Sequence, residues 1–434
     1  MLTDEPEPAA PALAPLRRNW RFQALWIGST SAALGVDTAD VAYPLLILFL
    51  TGSPALAGLF GFVQAAALTL SSLPAGWVID RVDRRRILLC AEVGRAAATG
   101  LVAWSVADGR ISVPLLIVVA ALLGLGSTFG GPVRMLMIRA VVHPQQLTKA
   151  LAQDEVREGA TGLIGPPLGG SLYGVARALP FLVCSVSFVI SFFCALIVRP
   201  PAPLKDTDDA EGGNDADGED NSESAEQGGK PAKDRGGLLT GLKVLWANHV
   251  VRGALLIVAA FYLTATAVTL VVVVSLHAHH TASGLIGVAL SGMAVGMLLG
   301  APLIERLHNR LSPGKLLIMV STVMTGCLAL LVVQAGPWWI FGVLLASALT
   351  LPALRVLIDI MIFRQVPDER RGRAIVATMT ILSVGPPLGT LAAGLLLEYA
   401  GVTGAVLTLA GLQAAATLYG LSNRKITGAR WPAG

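Results

Sequence analysis

Gly165-Pro166-Pro167-Leu168-Gly169 occurs a second time as Gly385-Pro386-Pro387-Leu388-Gly389. Each copy lies inside a long apolar stretch. Each is preceded by a charged segment holding an arginine: Arg139-Ala140-Val141-Val142-His143-Pro144 before the first copy and Arg364-Gln365-Val366-Pro367 before the second. The same pentamer in the same setting divides the chain into two halves of one design. Glycines spaced i,i+4 let a neighbouring helix approach closely. The proline pair removes helix hydrogen bonds and bends the span. Packing and bending alone account for both copies.

The stretches around these pentamers belong to a series. About twelve blocks of roughly 20 mostly apolar residues follow one another, the length that crosses a hydrocarbon core. They centre near Leu34, Leu68, Ala97, Leu122, Ile164, Phe188, Ala260, Leu290, Val323, Ala346, Leu382 and Leu409. The chain is 54% hydrophobic, 14% charged and has a mean hydropathy of +0.68. A soluble domain does not hide that much apolar surface. Barrel strands would be shorter and alternating. The expectation is an all-α polytopic membrane protein, with twelve transmembrane helices in two pseudo-symmetric six-helix halves.

The polar segments set the boundaries. Residues 1–21 read as a cytoplasmic tail without the apolar core of a signal peptide. The first half covers 22–199. Residues 200–237 are rich in Asp, Glu, Gly and Ser and read as a disordered acidic linker. An amphipathic surface helix from 238 and the second six-helix half run to 421, and 422–434 form a second cytoplasmic tail. Loop charge supports this topology. Thirteen Lys and Arg residues, from Arg81 to Arg373, fall in loops on the N-terminal side, and only Arg110 and Arg177 on the other. By the positive-inside rule both termini are cytoplasmic. The net charge of +4 is then a topology signal rather than a nucleic-acid footprint. A plasma (inner) membrane location, in a bacterium with a GC-rich genome, fits the composition.

Charge inside the bilayer costs at least ~2.5 kcal/mol at a helix centre, so each buried charge needs a reason. Asp37 and Asp40 stand in the first span, three residues apart on one helical face. Two carboxylates so close in a low-dielectric site do not both ionise easily, the property a proton-coupled carrier needs. Span five adds Asp154, Glu155, Arg157 and Glu158, where span eleven has Ala374, Ile375, Ala377 and Thr378. The charge is therefore peculiar to the first half. Glu155 and Glu158 join Asp37 and Asp40 as proton-coupling candidates. Arg134 in span four is a counter-ion for Glu158 or Glu155. Arg157 is a further buried ion-pair candidate. Arg355 and Asp359 in span ten, four apart, and Glu92 and Arg95 in span three, three apart, can pair on their own helices.

Two stretches resemble a known family. Gly76-Trp77-Val78-Ile79-Asp80-Arg81-Val82-Asp83-Arg84-Arg85-Arg86, between spans two and three, is similar to the loop signature of the major facilitator superfamily. Gly165-Pro166-Pro167-Leu168-Gly169-Gly170 is similar to the glycine–proline signature associated with its antiporters. The chain resembles the twelve-helix drug–proton antiporters and the enterobactin-exporter-like branch. The resemblance implies export, and a latch role for Asp80. Gly76 would let span two approach a neighbour. Asp80 would face the start of span eleven, near Gly372, where the helix dipole favours a carboxylate. Arg81, Arg84 and Arg85 serve that latch or anchor the inner surface. Related exporters often carry an acid near this point of span one, and either Asp37 or Asp40 matches it.

The remaining candidates line a cavity: Gln64, Met135, Tyr262, Thr266, Met293 and Met297. Adaptable methionines suit a bulky amphipathic ligand. His277, His279 and His280 have no acid or cysteine nearby and read as an exposed loop. Cys90, Cys184, Cys194 and Cys327 all fall in spans, without metal or disulfide spacing. No cofactor and no metal is expected, and no nucleotide-binding or nucleophile motif suggests an enzyme. The reading is a monomeric secondary transporter that exports a hydrophobic or amphipathic small molecule, a drug or natural product, by proton antiport and alternating access. Uptake or lipid flipping on the same fold is the alternative, followed by a non-transporting sensor or scaffold. Sodium is left open as a coupling ion.

Overall fold

The computed structural model describes residues 15–198, 249–354, 357 and 368–423, and these are almost entirely helical. The first half comprises α1 (Trp20–Thr51), α2 (Pro54–Arg81), α3 (Arg84–Ala107), α4 (Val113–Val141), α5 (Leu147–Val175) and α6 (Leu179–Ile197). The second comprises α7 (His249–Ala278), α8 (Ser283–Gly300), the short α9 (Leu303–Arg310), α10 (Pro313–Leu330), α11 (Pro337–Ala348) and α12 (Asp368–Ser422). The acidic linker, both tails, the surface helix before His249, and the Arg355–Asp359 pair lie outside the described residues.

Local chemistry sets the helix ends. The Asn19 side chain accepts from the Phe22 N–H and starts α1, which stops at Gly52 in the left-handed region, φ 67°. Such a backbone suits glycine. Ser53 caps α2, with Pro54 in the first helical turn. Asp83 caps α3 by accepting from the Arg85 N–H. These are the residue types that satisfy orphan donors. They leave two-residue turns, so α1, α2 and α3 run antiparallel.

Among the described residues, ten helices are long and apolar enough to cross a membrane. The expectation of twelve rests on two further features. α5 has the length but carries Lys149, Asp154, Glu155, Arg157 and Glu158. α12 runs for 55 residues, roughly 80 Å at 1.5 Å per residue, more than twice a core of about 30 Å. Its helix is broken at Gly401, with φ 68° and ψ −179°, which separates two consecutive spans.

Within the first half α1 packs on α5 and α6, and α3 on α4 and α6. In the second, α7 packs on α12 and α8 on α11. Among the described residues the halves meet chiefly along two seams, α5 against α8 and α2 against α12, with a smaller contact of α1 on α7. One end, which holds the Val82–Asp83 turn, is the basic end: Arg81 and Arg84 to Arg86 surround that turn. The contacts that glycines make across the seams lie toward the opposite end. There Gly58 meets Gly394, Gly170 meets Ser283, and Gly287 meets Pro166. Toward the basic end, Gly159 touches only the tip of Leu298, and Gly76 has open space around it.

Candidate functional site

The repeated pentamer does the same work in both halves. On α5, Gly165 lies against the Asp37 β-carbon and Gly169 against the Thr38 carbonyl, both on α1. On α12, Gly385 lies against the Tyr262 β-carbon and Gly389 against the Leu263 carbonyl, both on α7. A β-carbon at 169 or 389 would overlap backbone that cannot give way. Gly170 faces the other half instead, against Ser283 on α8, while Gly174 faces open space. Gly170 and Gly174, although four residues apart, therefore do not share one packing surface. Residue 166 contributes a backbone carbonyl to the seam, where Gly287 of α8 rests on it.

The two acids of α1 divide their environments. Asp37 is half-buried and turned to α5, facing Thr161, with the charges of Glu158 and Arg157 close by. Asp40, one turn further along, faces Gln64 of α2. It opens into a cavity of about 330 Å3 between the halves. Tyr43, Phe60 and Leu68 give that cavity an apolar first-half wall, and Thr266, Thr269 and Thr390 come from the second half. Tyr43 is fixed by its neighbours: its ring centroid is 4.5 Å from that of Phe60 and 4.8 Å from that of Phe181. Among the described residues of the lining, Asp40 is the one carboxylate.

A second polar group lies inside the first half. Glu92 of α3, fully buried, accepts from Arg95 at 2.7 Å and from Arg134 of α4 at 2.6 Å through the same oxygen. Arg134 also donates to the Ser191 hydroxyl of α6 at 3.0 Å. Arg95 stands 4.5 Å over the Phe188 ring, its side chain laid along Gly126 and Gly130. The expected Glu92–Arg95 pair thus forms, but the expected pairing of Arg134 with Glu158 or Glu155 does not. The reason is tertiary: α4 packs on α3, which brings Arg134 to a carboxylate with no exposure of its own. Glu155 and Glu158 are exposed. Arg157 pairs along α5 with Asp154 at 2.8 Å.

The family model described as Major Facilitator Superfamily matches residues 25–279 and again 253–428. The chain belongs to the Major Facilitator Superfamily. Within the superfamily it is similar to the multidrug efflux pump Tap of Mycobacterium tuberculosis, 25% identical over an alignment of 395 positions that covers 87% of each chain. It is also similar to macrolide efflux protein A of Streptococcus pyogenes, 26% identical over 193 residues, 42% of this chain and 46% of that one. Among solved structures, a bacterial homologue of the iron transporter ferroportin in an inward-facing state superposes with a TM-score of 0.70 at 16% identity, covering 94% of this chain and 99% of that one.

In this member of the superfamily the loop after α2 is held by ordinary contacts. Arg85 donates to the carbonyls of Ala195 and Leu196, the last turn of α6. Arg81 lies 4.1 Å from the Trp77 ring centroid. Arg84 is exposed. Gln64 and Thr266 line the central cavity, whereas Met135, Tyr262, Met293 and Met297 are not part of its wall. Tyr262 instead packs against Phe261 and Gly385, and Met297 is 42% exposed. Reading the sequence missed Tyr43, although it follows Asp40 by three residues and so shares its helical face. Among the described residues no group of His, Cys, Asp or Glu comes together as a metal site.

Proposed function

We propose that this transporter exports a hydrophobic or amphipathic small molecule in exchange for protons, by alternating access of a central site to the two membrane faces. One observation carries the reading: Asp40 opens into an inter-half cavity whose other described lining residues are aromatic, aliphatic or neutral polar. An ionisable group is costly at membrane depth. At this position it can exchange a proton with whichever side the cavity meets. Asp37, one turn away and against α5, is the positioning partner whose charge keeps the pair from ionising together.

Direction follows from sidedness. With both termini in the cytoplasm, the basic end is the inner face. Seam contacts gathered toward the opposite end then leave the site reachable from inside, the state that loads an export substrate. The two efflux proteins named above favour the same direction. A cavity of about 330 Å3 is at the small end of drug-binding pockets. It would enlarge as adaptable side chains move.

The test is substrate-driven proton release in everted vesicles, with lipophilic cations and macrolides as substrates. Wild type is expected to dissipate an imposed proton gradient on substrate addition. Asp40→Asn, whose amide cannot take up and release a proton as a carboxylate does, should abolish this response. Asp37→Asn should slow exchange without abolishing it. Proton release by Asp40→Asn at the wild-type rate would remove the proposed proton site.

A further inference from the structure

Across the α2–α12 seam one acidic side chain bridges the halves. Glu398 of α12 accepts a 2.7 Å hydrogen bond from the Ser53 hydroxyl and a 3.2 Å bond from the Ala55 N–H. Ser53 is the cap of α2, and Ala55 lies in its first turn. A carboxylate from the second half thus completes the helix N-terminus of the first, satisfying a donor that no helical carbonyl reaches and lying at the positive end of the helix dipole.

The seam beneath this contact has a regular antiparallel register. One turn along, a β-carbon on Gly58 would stand 2.7 Å from the Gly394 α-carbon. Gly61 next faces Thr390, and further on the Thr69 hydroxyl donates to the Ser383 carbonyl at 3.1 Å. Each step toward the basic end on α2 is matched by an equal step back on α12. Continued along both helices, the register sets position 80 of α2 against Gly372, in the first turn and a half of α12. Position 80 is an aspartate. Each helix of this seam therefore carries an acid in register with the N-terminus of the other: position 80 near the end of α2, and Glu398 just before the Gly401 break in α12. The α5–α8 seam has no such pair: α5 beyond Glu158 and all of α8 are free of acids, and the helices meet there through glycine and carbonyl.

We infer that Glu398 is the latch of the end opposite the basic cluster, and that it works reciprocally with Asp80. The Glu398 cap is made when that end is closed. Rocking the halves toward the other state pulls α12 from the start of α2, breaks the cap and brings Asp80 to the start of α12. The α2–α12 seam is the one that latches, while the α5–α8 seam slides on its glycines. This rests on the alternating-access reading above, and the experiment separates the two.

Spin labels at Arg110→Cys and Ala335→Cys report the width of the opposite end, and labels at His143→Cys and Asn309→Cys report the basic end. The full chain carries Cys90→Ser and Cys194→Ser in lipid nanodiscs. Glu398→Gln and Glu398→Ala are expected to raise the open-to-closed ratio at the opposite end about fivefold, equivalent to the ~1 kcal/mol typical of a lost helix cap. Ser53→Ala should do so less, because the Ala55 bond remains. Asp80→Asn should shift both label pairs the other way, and Asp80→Asn with Glu398→Ala should return toward wild type. If Glu398→Ala melts as wild type does and its distances do not change while those of Asp80→Asn do, the latch is refuted and alternating access stands. If every variant and wild type give one fixed distance at both ends, alternating access falls and the latch with it.

Discussion

Gly165 on α5 lies against the β-carbon of Asp37 on α1. The pentamer that marks the repeat and the acid that breaks its symmetry are thus one contact. The same contact in the second half sets Gly385 against Tyr262. The packing is shared by both halves, and the charge belongs to the first alone.

That contact predicts an asymmetric glycine scan. Gly169→Ala places a methyl on the Thr38 carbonyl and Gly165→Ala places one on Asp37. Overpacking of this kind costs about 1–3 kcal/mol. Both variants should melt several degrees below wild type in detergent, and Gly165→Ala should also slow proton exchange by moving Asp37. Gly174→Ala, which meets nothing within 4 Å, should match wild type in both measurements. Equal melting of all three would mean that α5 and α1 separate without cost.

Glu92 makes a second, sharper prediction. It is 0% exposed and faces two arginines through one oxygen. Glu92→Gln keeps the shape and removes the charge that holds Arg95 and Arg134 in place. Breaking a buried pair by losing one partner costs about 3–5 kcal/mol. The variant should unfold at markedly lower denaturant and accumulate poorly in membranes. A loss under about 1 kcal/mol would show that water already reaches both guanidinium groups.

What the sequence reveals here divides by the reach of each signal. Asp37, Asp40, Glu92 and Arg95 are conspicuous because charges are scarce in apolar blocks, and pairs on one helix follow from i,i+3 spacing. The halves are legible because the pentamer repeats. Arg134 is visible as a buried cation, but its partner is chosen by how α4 lies on α3, which no spacing encodes. The methionines are hard to sort for a related reason: lipid-facing, core and cavity positions on an all-apolar helix look alike. Glu398 is hidden differently. An exposed acid at the end of a span reads as a headgroup neighbour until the start of α2 is seen beside it.

The second half offers the counterpart to the Glu92 cluster, and it is neutral. Gln413 of α12 donates to the Ser321 hydroxyl of α10 at 2.9 Å and accepts from Thr264 of α7 at 3.2 Å. Ser321 and Thr417 share a 2.7 Å bond. The group ties α7, α10 and α12 together much as Glu92, Arg95, Arg134 and Ser191 tie α3, α4 and α6. Without a charge, little is stranded when one member is lost, and hydrogen bonds between membrane helices average near 0.6 kcal/mol. Gln413→Met should therefore cost about 1 kcal/mol or less and leave substrate-driven proton release at the wild-type level. Glu92→Gln should fail on stability, and Asp40→Asn on proton exchange. A proton signal lost in Gln413→Met would place coupling in both halves and contradict the assignment to α1.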